Sequence, residues 1–153
     1  MSQGFNRFIA TAAGIGYLPF APGTWASIFA ILLWYLLGYL IGDHYAWQIV
    51  FVLAVVVVGI YSSNKIIGAE QKDPSHVVID EVAGMWVTLL LIPFSYQNFL
   101  AGFVLFRFFD IAKPFGIKRL ENYRSGYGVM FDDILAGIYG NIILHIIVYS
   151  KVW

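Results

Sequence analysis

The chain has 153 residues, of which 60% are hydrophobic and 12% are charged, and its nine basic and nine acidic side chains give a formal net charge of zero. These proportions lie outside those of soluble globular proteins and predict an integral membrane protein with a single domain, residues 1–153. The balanced charge argues against a nucleic-acid-binding protein. The absence of cysteine excludes disulfides, thiolate catalysis and thiolate metal sites.

The N-terminal part of the chain precedes the first long apolar run. Met1–Ala13 lacks the apolar core of a signal peptide, so we expect it to belong to the mature chain. The prolines and glycines of the next segment, Gly14–Ser27, disfavour a regular helix before the apolar run begins. We expect Thr24 or Ser27 to cap the following helix, whose N-terminal N–H groups would suit a phosphate. A plain capped loop is the alternative.

Five apolar runs approach the length that crosses a bilayer, about 20 residues with a lower limit near 17. The first two are continuous and predict a helical hairpin. The last three reach that length only when their charged ends are included. The five predicted segments are Trp25–Gly42, Trp47–Ile67, Ile79–Tyr96, Gln97–Lys113 and Phe131–Tyr149. We therefore predict an all-α polytopic membrane protein whose charged motifs lie in the terminal turns of helices, at headgroup depth.

The distribution of Lys and Arg predicts the orientation of these segments. With the N-terminus in the cytoplasm, Lys151 is the one basic residue on the outer side. The other eight fall on the cytoplasmic side: Arg7, Lys65, Lys72, Arg107, Lys113, Lys118, Arg119 and Arg124. We therefore expect the charged helix ends that form the site to face the cytoplasm.

Carboxylates from three separate predicted helix ends are the candidate metal ligands. They are Asp80, Glu81, Asp110, Asp132 and Asp133. Charges at this depth are costly unless they are paired, hydrated or bound to metal, which favours a functional role. Oxygen-only ligation favours a hard cation such as Mg²⁺, which retains coordination positions for a substrate phosphate. The alternative is that these acids only stabilise helix N-termini through the helix dipole.

Arg107, Asp110 and Lys113 are spaced three residues apart, which places them along one side of a helix until Pro114 ends it. One interpretation is that Asp110 turns to the metal while Arg107 and Lys113 bind a phosphoryl group. The other is an intrahelical ladder of ion pairs. The remaining basic cluster is predicted to be a solvated face at the anionic membrane surface: Lys118, Arg119 and Arg124.

The histidines differ in their expected roles. His76 lies beside the acidic stretch and is a candidate phosphate contact or proton donor, although an exposed loop histidine is an equal alternative. His145 is expected to be a packed polar residue that bonds to a neighbouring helix. His44 falls on the outer side in the predicted topology.

Taken together, four motifs resemble the phosphatidylglycerophosphatase A family, over about residues 14–142. They are Tyr17–Thr24, Asp73–Pro74 with Val78–Gly84, Phe106–Pro114, and Gly128–Gly137. The resemblance implies an all-helical, Mg²⁺-dependent phosphatase of the bacterial inner membrane. The implied reaction removes the terminal phosphate of phosphatidylglycerophosphate and leaves phosphatidylglycerol.

The roles consistent with this resemblance can be assigned residue by residue. Asp80, Asp110 and Asp133 are assigned chiefly to Mg²⁺, and Glu81 or Asp132 to the activation of water. The predicted phosphate contacts are Thr24, Ser27, Arg107, Lys113 and His76. An aspartyl-phosphate intermediate is an alternative to direct attack by water. Two other classes stay open from the residues alone, namely a cation transporter or channel and a non-catalytic membrane subunit, and the oligomeric state is not predicted.

Overall fold

The computed structural model describes residues 2–42, 45–70, 75–114, 116–117 and 125–150, with the backbone alone at 69 and 70. Six α-helices make up most of these residues, and no strand occurs among them. The helices are α1 (Gln3–Ala10), α2 (Pro22–Ile41), α3 (Tyr45–Glu70), α4 (Ile79–Leu89), α5 (Tyr96–Ala112) and α6 (Gly126–Tyr149), with a short 3-10 helix at Ile15–Tyr17. The predicted all-α fold class is confirmed.

Three of these helices are long and apolar enough to cross a membrane: α2, the Tyr45–Gly68 part of α3, and α6. They support the prediction of a membrane protein. The remaining two predicted segments correspond to α4, with 11 residues, and α5, with 17 residues. Since α4 is shorter than a full span and α5 only reaches the lower limit of about 17 residues, the count of five segments stays a prediction.

The predicted segment Ile79–Tyr96 is interrupted, because α4 ends at Leu89 and α5 begins at Tyr96. Leu91 adopts a left-handed backbone with φ 61°, and Pro93 has no N–H with which to continue a helix. The Asn141 side chain of α6 donates to the carbonyl oxygens of Thr88 and Leu90, at 3.0 and 2.9 Å. These bonds satisfy carbonyls that the end of α4 leaves without an intrahelical partner.

The start of α2 differs from the prediction that Thr24 or Ser27 caps the helix. The N-cap is Ala21, in a left-handed conformation and with no side-chain hydrogen bond, and Pro22 takes the first helical position. Proline favours that position because its φ is already helical and the N–H that it lacks would be unpaired there. Thr24 and Ser27 therefore lie inside the helix, and the capping prediction is wrong.

Helices α4 and α6 pack closely because glycines face each other. A Cβ added at Gly84 would lie 2.7 Å from the backbone oxygen of Asp133, and one added at Gly137 would collide with the backbone oxygen of Gly84. The Thr88 hydroxyl lies 2.9 Å from the Gly84 oxygen and 3.4 Å from the Gly137 oxygen. This approach brings the first turn of α4 against the carboxylate-bearing turn of α6.

Replacing Gly137 by Ala is expected to lower the free energy of unfolding by about 1–3 kcal/mol, because the new methyl group must push α4 away from α6. Thermal unfolding of the detergent-solubilised protein would measure the loss. The matched control is Gly4→Ala in α1, where an added Cβ meets nothing within 4 Å. Equal melting temperatures for the two variants would show that the helices do not depend on this close approach.

Three tryptophans pack together where α4 meets α2 and α3. The Trp34 ring of α2 packs at a tilt against Trp47 of α3 and Trp86 of α4, with ring centroids 4.9 and 5.5 Å apart. The Trp86 indole donates to the Ala30 oxygen at 2.9 Å, so the buried indole N–H is satisfied. This cluster fixes α4 against α2 and α3.

The chain before α4 is tied to the N-terminal region. Val78 N–H donates to the Ala10 oxygen at 2.8 Å, and the His76 ring stacks on Tyr17 with a centroid distance of 5.2 Å. Gly16 contacts the His76 backbone so closely that an added Cβ would collide with its oxygen. These contacts bring the segment before α2 next to the N-terminus of α4, where the acidic residues begin.

Candidate active site

Three carboxylates meet where α4 packs against α6. Asp80 and Glu81 lie in the first turn of α4, and Asp133 lies in the second turn of α6. One oxygen atom from each can be chosen so that all three lie within 4.8 Å of one another. Asp80 and Asp133 are only 9% and 3% exposed. The close packing of α4 and α6 through glycine therefore produces a buried acidic cluster, defined here as Asp80, Glu81 and Asp133.

The hydrogen bonding of the acidic cluster fits a metal ion. Asp80 Oδ1 and Glu81 Oε2 are buried and accept no hydrogen bond from the described part of the chain. Buried carboxylate oxygens are costly without a partner, and three negative groups this close repel one another. A bound cation would resolve both problems at once. Since all donors are oxygens, the cluster suits a hard cation.

Two ion pairs flank the acidic cluster. Arg107 Nη1 lies 2.7 Å from Asp110 Oδ2 within α5, and Lys113 Nζ lies 2.6 Å from Asp132 Oδ2 of α6. Asp110 is close enough to Glu81 and Asp133 to interact with both electrostatically. The backbone N–H of Asp133 also donates to Asp132 Oδ1, at 3.0 Å. All five predicted carboxylates therefore belong to one region, with three in the cluster and two paired with cations.

The predicted row of Arg107, Asp110 and Lys113 is divided by the end of α5. Arg107 and Asp110 form the ion pair expected of neighbours three residues apart. Lys113 is the C-cap of α5, in a left-handed conformation with φ 44°, and its side chain reaches Asp132 on α6. The ladder interpretation therefore describes the first pair but not the second, which joins two helices.

The start of α2 contacts the acidic cluster through Gly23. A Cβ added there would collide with Glu81 Oε1 and would lie 3.4 Å from Arg107 Nη1. Gly23 was not among the predicted site residues. Its signal in the sequence is its place between Pro22 and Thr24 at the start of an apolar run. The structure therefore adds a backbone wall to the site on the α2 side.

The remaining predicted phosphate contacts are placed as follows. Thr24 lies partly buried in the first turn of α2, next to Gly23. The Ser27 hydroxyl is fully buried and donates to the Gly23 oxygen at 2.9 Å, one turn back in the same helix. His76 is half-buried against Tyr17, four residues before Asp80. A phosphate-binding role for each of the three stays a prediction.

His145 lies on α6, 12 residues beyond Asp133 and so about 18 Å further along the helix. Its Nδ1 lies 3.0 Å from the Asn141 oxygen, and its ring stacks on Tyr149 with centroids 5.8 Å apart. It is a packed polar residue as predicted. The hydrogen bond found for this ring is to the i−4 carbonyl of its own helix, and a bond to a neighbouring helix stays a prediction.

Several sequence predictions fall outside the described residues. They concern the carboxylate of Asp73, the histidine His44, and five basic residues: Lys72, Lys118, Arg119, Arg124 and Lys151.

Comparison with known proteins decides the family. A family model described as phosphatidylglycerophosphatase A matches residues 8–148, which is most of the chain. The chain belongs to the phosphatidylglycerophosphatase A family. The predicted resemblance is thereby confirmed, and so is the prediction that the chain is an enzyme of the phosphatase class. Membership in a family of phosphatases displaces the two non-enzymatic alternatives, a transporter or channel and a non-catalytic subunit.

Three individual relatives align with this chain over most of their own length. The Escherichia coli K12 protein of that name is 36% identical over 92% of this chain and 82% of its own. The Haemophilus influenzae protein of that name is 38% identical over 94% and 88%. A Bacteroides thetaiotaomicron relative, 40% identical over 89% of both chains, is named provisionally as a phosphatidylinositol-3-phosphatase. No solved structure shows significant similarity to the chain.

Proposed function

We propose that this protein is a Mg²⁺-dependent phosphatase that hydrolyses phosphatidylglycerophosphate to phosphatidylglycerol and phosphate, at the cytoplasmic face of the bacterial inner membrane. The observation that carries the proposal is the buried acidic cluster beside Arg107 and Lys113, in which two oxygens have no hydrogen-bond partner among the described residues. Membership in the family and the names of two relatives support the substrate.

Asp80, Glu81 and Asp133 are the residues that we propose to hold Mg²⁺. Their oxygens are close together, come from two packed helices, and include the two buried oxygens that lack a hydrogen-bond partner among the described residues. When bound, Mg²⁺ supplies positive charge to the phosphate oxygens and lowers the pKa of a water molecule. Asp110 stays a further candidate ligand, because it lies beside Glu81 and Asp133.

Positive charge from the chain itself would bind the phosphoryl group. A Cβ added at Gly23 would lie 3.4 Å from Arg107 Nη1. The Arg107 guanidinium therefore borders the space between α2 and the acidic cluster. A guanidinium can bind two phosphate oxygens at once, and Lys113 adds a second cation at the end of α5. Because the N-cap Ala21 offers no side-chain acceptor, the N–H groups of Gly23 and Thr24 in the first turn of α2 would be available to donate to the same phosphate.

In the proposed reaction a water oxygen attacks phosphorus and the bond from phosphorus to the glycerol oxygen breaks. The proton of the attacking water is accepted by Asp132, or by Glu81 through the oxygen that would not hold the metal. The glycerol oxygen that leaves takes up a proton, for which His76 is the candidate donor. Arg107 and Lys113 stabilise the charge on the non-bridging oxygens. Direct attack by a carboxylate, with an aspartyl-phosphate intermediate, is the alternative route. The stereochemistry at phosphorus, followed with a chiral isotopically labelled phosphate, separates the two, since direct attack by water inverts the configuration and an aspartyl-phosphate intermediate retains it.

A lipid substrate fits the surface around the start of α2. Phe20 is 81% exposed and lies three residues before Gly23. Tyr17 and Trp25 are about half exposed. Aromatic side chains favour the membrane interface, where a lipid headgroup lies. The predicted cytoplasmic orientation rests on the distribution of the basic residues. Both features support a site at headgroup depth.

The substrate test compares three phosphate monoesters with the purified enzyme in mixed micelles. Phosphate release from phosphatidylglycerophosphate is expected to exceed release from phosphatidylinositol 3-phosphate and from water-soluble glycerol 3-phosphate by at least about tenfold in kcat/KM. Release is expected to stop in EDTA and return with Mg²⁺. Preference for the inositol lipid, as the name of one relative suggests, would overturn the proposed substrate but leave the chemistry intact. Full activity in EDTA would overturn the metal.

A further inference from the structure

An open cleft lies between α3 and α6, apart from the acidic cluster. Its volume is about 520 Å³, and its lining residues are Val57, Ile60, Tyr61, Asn64, Lys65 and Tyr127. The five α3 residues follow the spacing of one helix face, and Tyr127 lies in the first turn of α6. From this cleft we propose a binding site for a non-substrate anionic phospholipid that carries one phosphodiester charge.

The cleft lies between helices that are both long and apolar enough to span the membrane. Val57 is 65% exposed and lies eight residues, or about 12 Å along α3, from Lys65. The cleft is therefore apolar toward the middle of α3 and polar toward its C-terminal end. A groove of this kind between two spanning helices faces lipid, and its polarity matches an acyl chain below a headgroup.

Lys65 supplies the charge that selects the headgroup. Of the four cationic side chains that the structure describes, Arg107 and Lys113 pair with carboxylates of the site. Lys65 forms no ion pair with a described carboxylate, and its ammonium lies 5.7 Å from the centroid of the Tyr61 ring. One lysine matches the single charge of a phosphodiester, whereas a monoester carries more charge and is matched by the cations beside the acidic cluster.

Asn64 and Tyr127 complete the polar end of the cleft. Asn64 Oδ1 accepts from the Gly126 N–H at 2.8 Å, which fixes the side-chain amide at the start of α6. With its oxygen engaged, the amide presents its NH₂ group as the donor, which is the polarity that a phosphate oxygen needs. Gly126 permits this contact, since an added Cβ would lie 2.6 Å from the Asn64 backbone nitrogen.

Native mass spectrometry of the full-length protein in detergent with EDTA would test this site without catalysis. Phosphatidylglycerol is expected to stay bound about fivefold more than phosphatidylcholine of the same acyl chains. Lys65→Ala is expected to remove this preference and Lys65→Arg to keep it, while the control Arg7→Ala, on α1, keeps it in full. Val57→Trp at the exposed apolar end should displace both lipids by filling the cleft.

The outcomes separate this inference from the proposed function. Equal retention of the two lipids by the unaltered protein, or an unchanged preference in Lys65→Ala, would overturn the lipid site. Stronger retention of phosphatidic acid, a lipid phosphomonoester, would also overturn it if that retention were lost in Lys65→Ala, because the cleft, and not the cations beside the acidic cluster, would then select the charge of a substrate. Phosphate release is measured separately, and no residue of the cleft has been placed in the catalytic machinery.

Discussion

Replacing Asp80 by Asn is expected to reduce Mg²⁺-dependent phosphate release by about a hundred- to a thousandfold, while the folded protein stays intact. The substitution keeps the shape of the side chain but removes one anionic ligand from the cluster of Asp80, Glu81 and Asp133. Loss of one ligand weakens Mg²⁺ binding and the charge stabilisation that the ion supplies in the transition state. Initial rates at increasing Mg²⁺ concentration would measure both effects.

The stability of the metal-free protein provides a second measurement for the same variant. Asp80 is buried beside Glu81 and Asp133, so the neutral amide of the Asp80→Asn variant would relieve repulsion between negative groups. In EDTA we therefore expect Asp80→Asn to melt at the same temperature as the unaltered protein or a few degrees higher. With Mg²⁺ the order should reverse, because a ligand that binds the folded state stabilises only the protein that binds it. A lower melting temperature in EDTA would instead assign Asp80 a structural role.

Asp132→Asn is the matched control, since Asp132 lies next to Asp133 but pairs with Lys113 at 2.6 Å. We expect it to reduce the rate by about ten- to a hundredfold, through the position of Lys113 and the loss of a candidate proton acceptor, with a smaller change in the dependence on Mg²⁺. Identical Mg²⁺ dependence in the two variants would contradict the division of the five carboxylates into a metal cluster and ion-paired residues.

Composition and spacing were sufficient to predict the all-α membrane character and the candidate carboxylates. Charged residues are so costly in an apolar chain that their positions predict a shared site, and the structure brings Asp80, Glu81 and Asp133 together. Spacing could not predict which carboxylate each cation pairs with. Arg107 and Lys113 are both three residues from Asp110, and the left-handed backbone of Lys113 directs it to Asp132 instead. That choice depends on how α5 meets α6, which is a tertiary contact.

The end of α4 was also beyond prediction from hydropathy. Apolar residues continue from Leu89 through Ile92, so the pattern predicts a continuous segment. The helix ends early, and Asn141, 51 residues away from Leu90, caps its last carbonyls. The contact of Gly23 with Glu81 could not be predicted from the sequence either, because it joins two helices that are distant in sequence.

Gly23→Ala is expected to reduce phosphatase activity by about a hundredfold with little loss of stability. The backbone of Gly23 is helical, and alanine is intrinsically favourable there, so the local conformation does not oppose the change. The obstacle is the neighbouring site, because the new methyl group collides with Glu81 Oε1. Glu81 must then change its position relative to Asp80 and Asp133, and displacements of about 1 Å can cost a hundredfold in rate. Rates at saturating lipid and Mg²⁺ would measure the loss.

Gly68→Ala is the matched control, because Gly68 is also helical and an added Cβ there meets nothing within 4 Å. It should keep full activity and gain slightly in stability from the higher helix propensity of alanine. If Gly23→Ala were as active as Gly68→Ala, Glu81 could move without loss of function. The backbone of α2 would then not be needed to fix the position of the Glu81 carboxylate. A loss confined to Gly23→Ala, and reduced by the second change Glu81→Asp, would instead show that the shorter carboxylate restores the space. The backbone of α2 would then act as the wall that positions Glu81 against the other two carboxylates.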